Sequence, residues 1–175
     1  AADLLINYIN TEKHLAGQRN AVVALGNISQ KKVAPFLRAL SLKDPSLKES
    51  ALKSLSRHWV KQFNELKLQD KRASVNVDID KMFGNESPVD PKAASTAATR
   101  REQEAFLEEQ LLKIGAPAIE PLVEQASTLT SGMEFEAQAM IVKIGSAGVD
   151  ELLRLFRSDD FSIRQAVAIA LGDIG

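Results

Sequence analysis

The sequence predicts an all-α superhelix of about five stacked helix pairs, and three observations predict it. The dipeptide Ile-Gly recurs at Ile114-Gly115, Ile144-Gly145 and Ile174-Gly175, with 30 residues from each copy to the next. Near the start, Ala24-Leu25-Gly26-Asn27-Ile28-Ser29 parallels Ala170-Leu171-Gly172-Asp173-Ile174-Gly175. Apolar residues then fall in step within each unit. A fixed period of this length marks supersecondary units that bury their apolar faces only by stacking.

The units end near Ser29, Trp59, Gly115, Gly145 and Gly175. Four residues before these ends stand Leu25, Leu55, Leu111, Ile141 and Leu171; eight before stand Ala21, Ala51, Leu107, Ala137 and Val167. Positions four apart share one helix face, so these residues form the buried stripe of the second helix in each pair. Past the internal ends, Val33, Phe63, Ile119 and Val149, then Phe36, Leu66, Leu122 and Leu152, form the stripe of each first helix. Glycine after a helical stretch fits a left-handed helix stop. Ser29 and Trp59 fill that place in the first two units, so the second unit either closes differently or runs straight into the next helix.

The third unit is longer than the others. From Trp59 to Gly115 is 56 residues, which exceeds the repeat by 26. We expect a loop insertion at about residues 67–95, with the preceding helix fading by Lys67, a tip near Gly84–Pro88, and a brief extended segment at Val75, Val77 and Ile79. Met82 and Phe83 form an apolar pair in this polar stretch. They either anchor a partner or fold back onto the helices. Asp78 and Asp80 stand as Asp-x-Asp, but Gly84 comes one place late for a calcium loop and no bidentate glutamate follows.

Composition bounds the chemistry. The 175 residues are 45% hydrophobic and only 5% aromatic. There is no cysteine, which excludes disulfides, thiolate metal sites and a thiol nucleophile. No apolar run reaches the roughly 18 residues of a membrane span, and a cytoplasmic location is the expectation. The chain opens on Ala1 and closes where another pair would start, so a longer array is also expected.

Charge is polarised. Residues 1–72 hold 13 Lys or Arg against 6 Asp or Glu, a net of +7; residues 73–175 hold 9 against 17, a net of −8. Lys48, Lys53, Arg57 and Lys61 are the candidate binding cations, the last three at four-residue spacing. They face either phosphates or an acidic protein, or simply water. The opposite charges of the two halves also allow head-to-tail oligomers.

The pattern resembles HEAT repeats, especially the short bacterial kind first named from phycobilisome lyases. Val149–Gly175 carries the closest likeness. Pro35 and Pro121 match the first-helix proline of that family, Asp44 and Asp160 its turn aspartate, and Lys48 and Arg164 its early second-helix base. Glu104, Glu134 and Glu151 depart from the pattern. The resemblance implies an armadillo-like binding surface more than an active site. A bilin-lyase-like role rests on it alone.

No catalytic set emerges. The two histidines, His14 and His58, lack neighbouring ligands, and His58 sits where other units carry isoleucine. Glu104, Glu108 and Glu109 with Arg100 and Arg101 read as charge pairs along one helix. No phosphate loop or nucleophile motif is present. The sequence therefore reads as a non-catalytic scaffold or adaptor for a protein partner, needing no cofactor or metal. Nucleic-acid binding through the basic half is the first alternative.

Overall fold

The protein is described by a computed structural model over residues 1–82, 91–128 and 134–175, and these residues are all-helical, with no strand among them. In chain order the helices are α1 (Ala2–Thr11), α2 (Leu15–Gly26), α3 (Val33–Lys43), α4 (Lys48–Met82), α5 (Pro91–Ile114), α6 (Ile119–Ala126), α7 (Glu134–Ile144), α8 (Val149–Leu155) and α9 (Phe161–Ile174). Single 3-10 turns at Ala116–Ala118 and Gly145–Gly148 lead into α6 and α8.

Local chemistry sets the turns. Asp44 Oδ1 accepts hydrogen bonds from the Ser46 amide at 2.9 Å and the Ser46 hydroxyl at 2.6 Å, closing the bend between α3 and α4. Asp160 caps α9 by accepting from the amides of Ser162 at 2.8 Å and Ile163 at 3.4 Å. Arg164 then donates from Nη1 to the carbonyls of Ser158 at 2.7 Å and Asp159 at 2.8 Å. The turn aspartate and the following base thus lock one corner together. Gly115 and Gly145 adopt φ of 70° and 61°, which a side chain would strain.

The stripes read from the sequence are the core. Leu25, Leu55, Leu111 and Ile141 are buried, as are Ala21, Ala51, Leu107, Ala137 and Val167. Leu171 is only half-buried. On the first helices, Val33, Phe63, Ile119, Leu122 and Leu152 are buried, but Phe36, Leu66 and Val149 are only half-buried; Leu37, one place after Phe36, is inside.

The third unit differs from expectation. Trp59 does not end a helix, and residues 67–82 and 91–95 are not a loop: α4 runs 35 residues without a break. Val75, Val77 and Ile79 lie on this helix rather than in an extended segment. The signal was present, because residues 46–83 contain neither glycine nor proline. Nothing there stops a helix, and a helix once nucleated gains a hydrogen bond per residue. The absence of any breaker outweighs the alternation of three β-branched residues. The tip at Gly84–Pro88 falls outside the described residues.

At ~1.5 Å per residue α4 spans about 52 Å. That length lets it serve two units. Its first part packs on α2, α3 and α6, and it also packs along α5. The approach of α2 is close: a Cβ added at Gly26 would stand 2.7 Å from the Ser54 carbonyl oxygen and 2.9 Å from its Cα.

Gly26→Ala therefore forces α2 off the α4 backbone. Overpacking of about 1–3 kcal/mol outweighs the ~1 kcal/mol helix-propensity gain, so thermal unfolding should begin at lower temperature. Gly172, in α9, has no atom within 4 Å of an added Cβ. Gly172→Ala should raise stability by up to about 1 kcal/mol, read in the same melts.

Candidate functional site

The basic stripe exists, but it faces carboxylates of its own chain. Lys53 Nζ lies 3.1 Å from Glu120 Oε2 on α6, 3.1 Å from Glu151 Oε1 on α8 and 3.5 Å from Glu49 Oε1. Arg57 forks onto Glu124, with Nη2 at 3.0 and 3.1 Å from its two oxygens. Arg154 reaches back from α8 to Glu120 at 2.7 Å and holds Glu151 at 2.9 Å. Lys61 is exposed and donates to the Asn27 carbonyl at 3.4 Å; Lys48 is exposed at the start of α4.

The electrostatics are those of a partly desolvated lattice. Glu151 is held down to about 2 from 4.5, chiefly by its hydrogen bond to Arg154, against burial, with Lys53 adding to the effect. Burial opposes the Lys53 charge, yet Glu151 and Glu120 outweigh it and raise its pKa. The positive first half and the negative second half thus meet inside one molecule at α4, α6 and α8. Lys53 and Arg57 are engaged by carboxylates of their own chain.

A second ionic seam joins α5 to α4 and to α7. Lys67 Nζ lies 2.7 Å from Glu104 Oε2, and Arg100 Nε 3.0 Å from Asp70 Oδ1. Lys143 pairs with Glu108. The expected pairing of Glu104 and Glu108 with Arg100 along α5 is replaced by pairing between helices, while Glu109 pairs along α5 with Lys113 at 2.7 Å. Glu104 is buried at its contact with Lys67 on α4.

His58 is structural, 1% exposed. Its Nδ1 lies 2.9 Å from the Ile28 carbonyl oxygen, and its Nε2 lies 2.9 Å from Gln62 Nε2. A carbonyl only accepts, so Nδ1 carries the proton and Nε2 accepts from the amide. Burial pushes its pKa below 6.5. His14 stands apart, on the surface before α2. Among the described residues no group of three or more His, Asp or Glu side chains gathers to hold a metal. No helix there is long and apolar enough to cross a membrane.

Of the apolar pair, Met82 closes α4 and Phe83 lies outside the described residues. The Asp78 and Asp80 positions belong to the helix rather than to an ion-binding loop.

Sequence reasoning missed an apolar hollow. A groove of about 410 Å³ lies between α6, α7 and α9, lined by Ala126, Ser127, Phe135, Gln138, Ser162, Gln165, Ala166 and Ile169. Phe135 is 84% exposed and Ile169 49%. Ile169 sits between the buried stripe positions of α9, where an outward isoleucine is the one local sign of this surface. Two other hollows, of about 450 and 510 Å³, are lined with charged side chains such as Arg57, Glu124 and Lys31.

No protein-family model matches this chain, and no curated protein matches it either.

Two pH effects follow. The stability supplied by Glu151 is complete above pH 4.5 and is lost as pH falls from there toward 2. Urea denaturation between pH 5 and 2.5 should therefore show a shallower decline for Glu151→Gln than for the wild type. His58, with its depressed pKa, contributes fully above pH 6.5 and loses its contribution as pH falls through the folded-state value. His58→Gln should flatten the wild-type fall in stability between pH 7.5 and 5, measured by the same method.

Proposed function

We propose that the protein is a non-catalytic, HEAT-like solenoid scaffold that binds a protein partner through the groove between α6, α7 and α9. The observation that carries this reading is the exposure of Phe135 and Ile169 beside an apolar hollow. Scattered apolar surface residues are ordinary, whereas an aromatic and a branched aliphatic flanking one groove mark an interaction surface. The ordered stripes support the solenoid arrangement, in which each helix pair hides its apolar faces against its neighbours. The second helices would then line the concave side and present the groove there.

A nucleic-acid surface on the basic half has less support. Lys53 and Arg57, central to that stripe, already hold Glu120, Glu124 and Glu151. Competing phosphates would have to break charge-assisted contacts that are partly shielded from water.

A photo-crosslinking benzoylphenylalanine placed at position 135 tests the scaffold. It should capture a discrete protein from a native extract, and Ile169→Asp in the same chain should abolish the product. The same probe at Leu42, an exposed position on α3, should capture nothing comparable. Equal capture at both sites, or none at 135, overturns the reading.

A further inference from the structure

The last helix pair leaves uncovered the positions that the pair before it hides. Thirty residues separate equivalent positions of α6 and α8, and of α7 and α9. Ile119, Val123 and Ala126 are buried on α6. Their counterparts on α8 and at its C-terminal end are Val149, half-buried, Leu153, 49% exposed, and Phe156, 47% exposed. Ile141 is buried on α7, whereas Leu171 on α9 is half-buried, and Ala168 and Gly172 beside it are exposed. Val149, Leu153 and Phe156 stand at i, i+4 and i+7; Ala168, Leu171 and Gly172 stand at i, i+3 and i+4. The loss of burial therefore falls on one face of each helix. Within the chain, α8 and α9 pack on α6 and α7. What α6 and α7 receive there, α8 and α9 lack. The outer face of a terminal repeat is polar where it meets water. None of these six residues is charged.

We propose that this face joins two copies of the chain across a two-fold axis near Leu153, with α8 of one copy antiparallel to α8 of the other. The charges beside the stripe select the occupant. Asp150 and Arg157 are both exposed, and neither pairs with an opposite charge among the described residues. They stand seven residues apart along one flank of α8 and the turn that follows it, with Leu153 midway between them. Antiparallel packing about Leu153 sets Asp150 of each copy against Arg157 of the other. Leu153 then meets its own equivalent, and Phe156 meets Val149. Parallel packing would set Asp150 on Asp150 and Arg157 on Arg157, which like-charge repulsion disfavours. A two-fold contact uses one patch twice, so an uncharged centre with one charge of each sign at its two ends is complementary to itself. Ile169 lies about 100° round α9 from Ala168. The groove it lines is thus on a neighbouring side, and the dimer stands independently of the scaffold reading.

Sedimentation velocity of the full chain, from about 1 μM to about 1 mM, tests the dimer. A monomer–dimer equilibrium with no larger species is expected. Leu153→Asp, at an exposed position, should weaken dimerisation about tenfold or more, because the contact would bury an unpaired carboxylate. Asp150→Arg alone and Arg157→Asp alone should each weaken it about fivefold, since each sets like charges together. An equal mixture of those two variants should recover the wild-type strength, because every new arginine then faces a new aspartate or a native one. Melting curves show that each variant is folded. A monomer at every concentration overturns the proposal, as does head-to-tail growth beyond the dimer. A dimer unchanged in Leu153→Asp, or a mixture no stronger than its two components, overturns it as well. If the wild type stays monomeric while a benzoylphenylalanine at position 153 captures a different protein, the face belongs to that partner and the two-fold dimer is excluded.

Discussion

An uninterrupted α4 is the constraint on which the rest of the molecule depends. It receives α2 at Gly26 and Ser54, lies against α3, carries α5 along its length and presents Lys53 and Arg57 to α6 and α8. A helix that ended at Trp59 would force a separate first helix for the third unit. Because it continues, one helix does the work of two, and the following pair returns across its first part. The ~52 Å length makes this possible, since the contacts with α2 and α5 fall on different stretches of the same rod.

The two ionic seams act on this frame. Isolated surface ion pairs contribute little, because water and salt screen them and the side chains lose freedom. The lattice around Lys53 differs in being shared: one ammonium meets three carboxylates, and Arg154 ties two of those carboxylates together. Shared charges cost less ordering per contact, and partial burial strengthens each of them. The same geometry carries a specificity argument. Carboxylates on α6 and α8 accept α4 only in the register that places Glu120 between Lys53 and Arg154, so the seam fixes alignment as well as adding stability. His58 plays the equivalent role at the α2 end, where its ring bridges the Ile28 carbonyl and the Gln62 amide.

With Lys53 and Arg57 engaged internally, the apolar residues Phe135 and Ile169 stand out on the surface. Phe135 and Ile169 each leave much of their area in water.

What the sequence determined by itself is the helical class and most of the core. Leu25, Leu55, Leu111 and Ile141 are inside because helical periodicity is a local property, and a stripe at four-residue spacing must be hidden wherever its neighbours lie. The positive φ of Gly115 and Gly145 was legible for the same reason, since the stop of a helix is written in a few adjacent residues. The missing breakers in 46–83 were legible too, although alternation at Val75–Ile79 drew attention from them. Tertiary structure alone decided the fate of the charges and the place of the groove. Glu120 and Glu151 stand 67 and 98 residues beyond Lys53, and no spacing rule connects them. The groove joins Ala126, Phe135, Gln138 and Ile169 from three helices. Contacts of that kind depend on how helices cross, which is set by the summed packing of the whole core and not by any local run of residues.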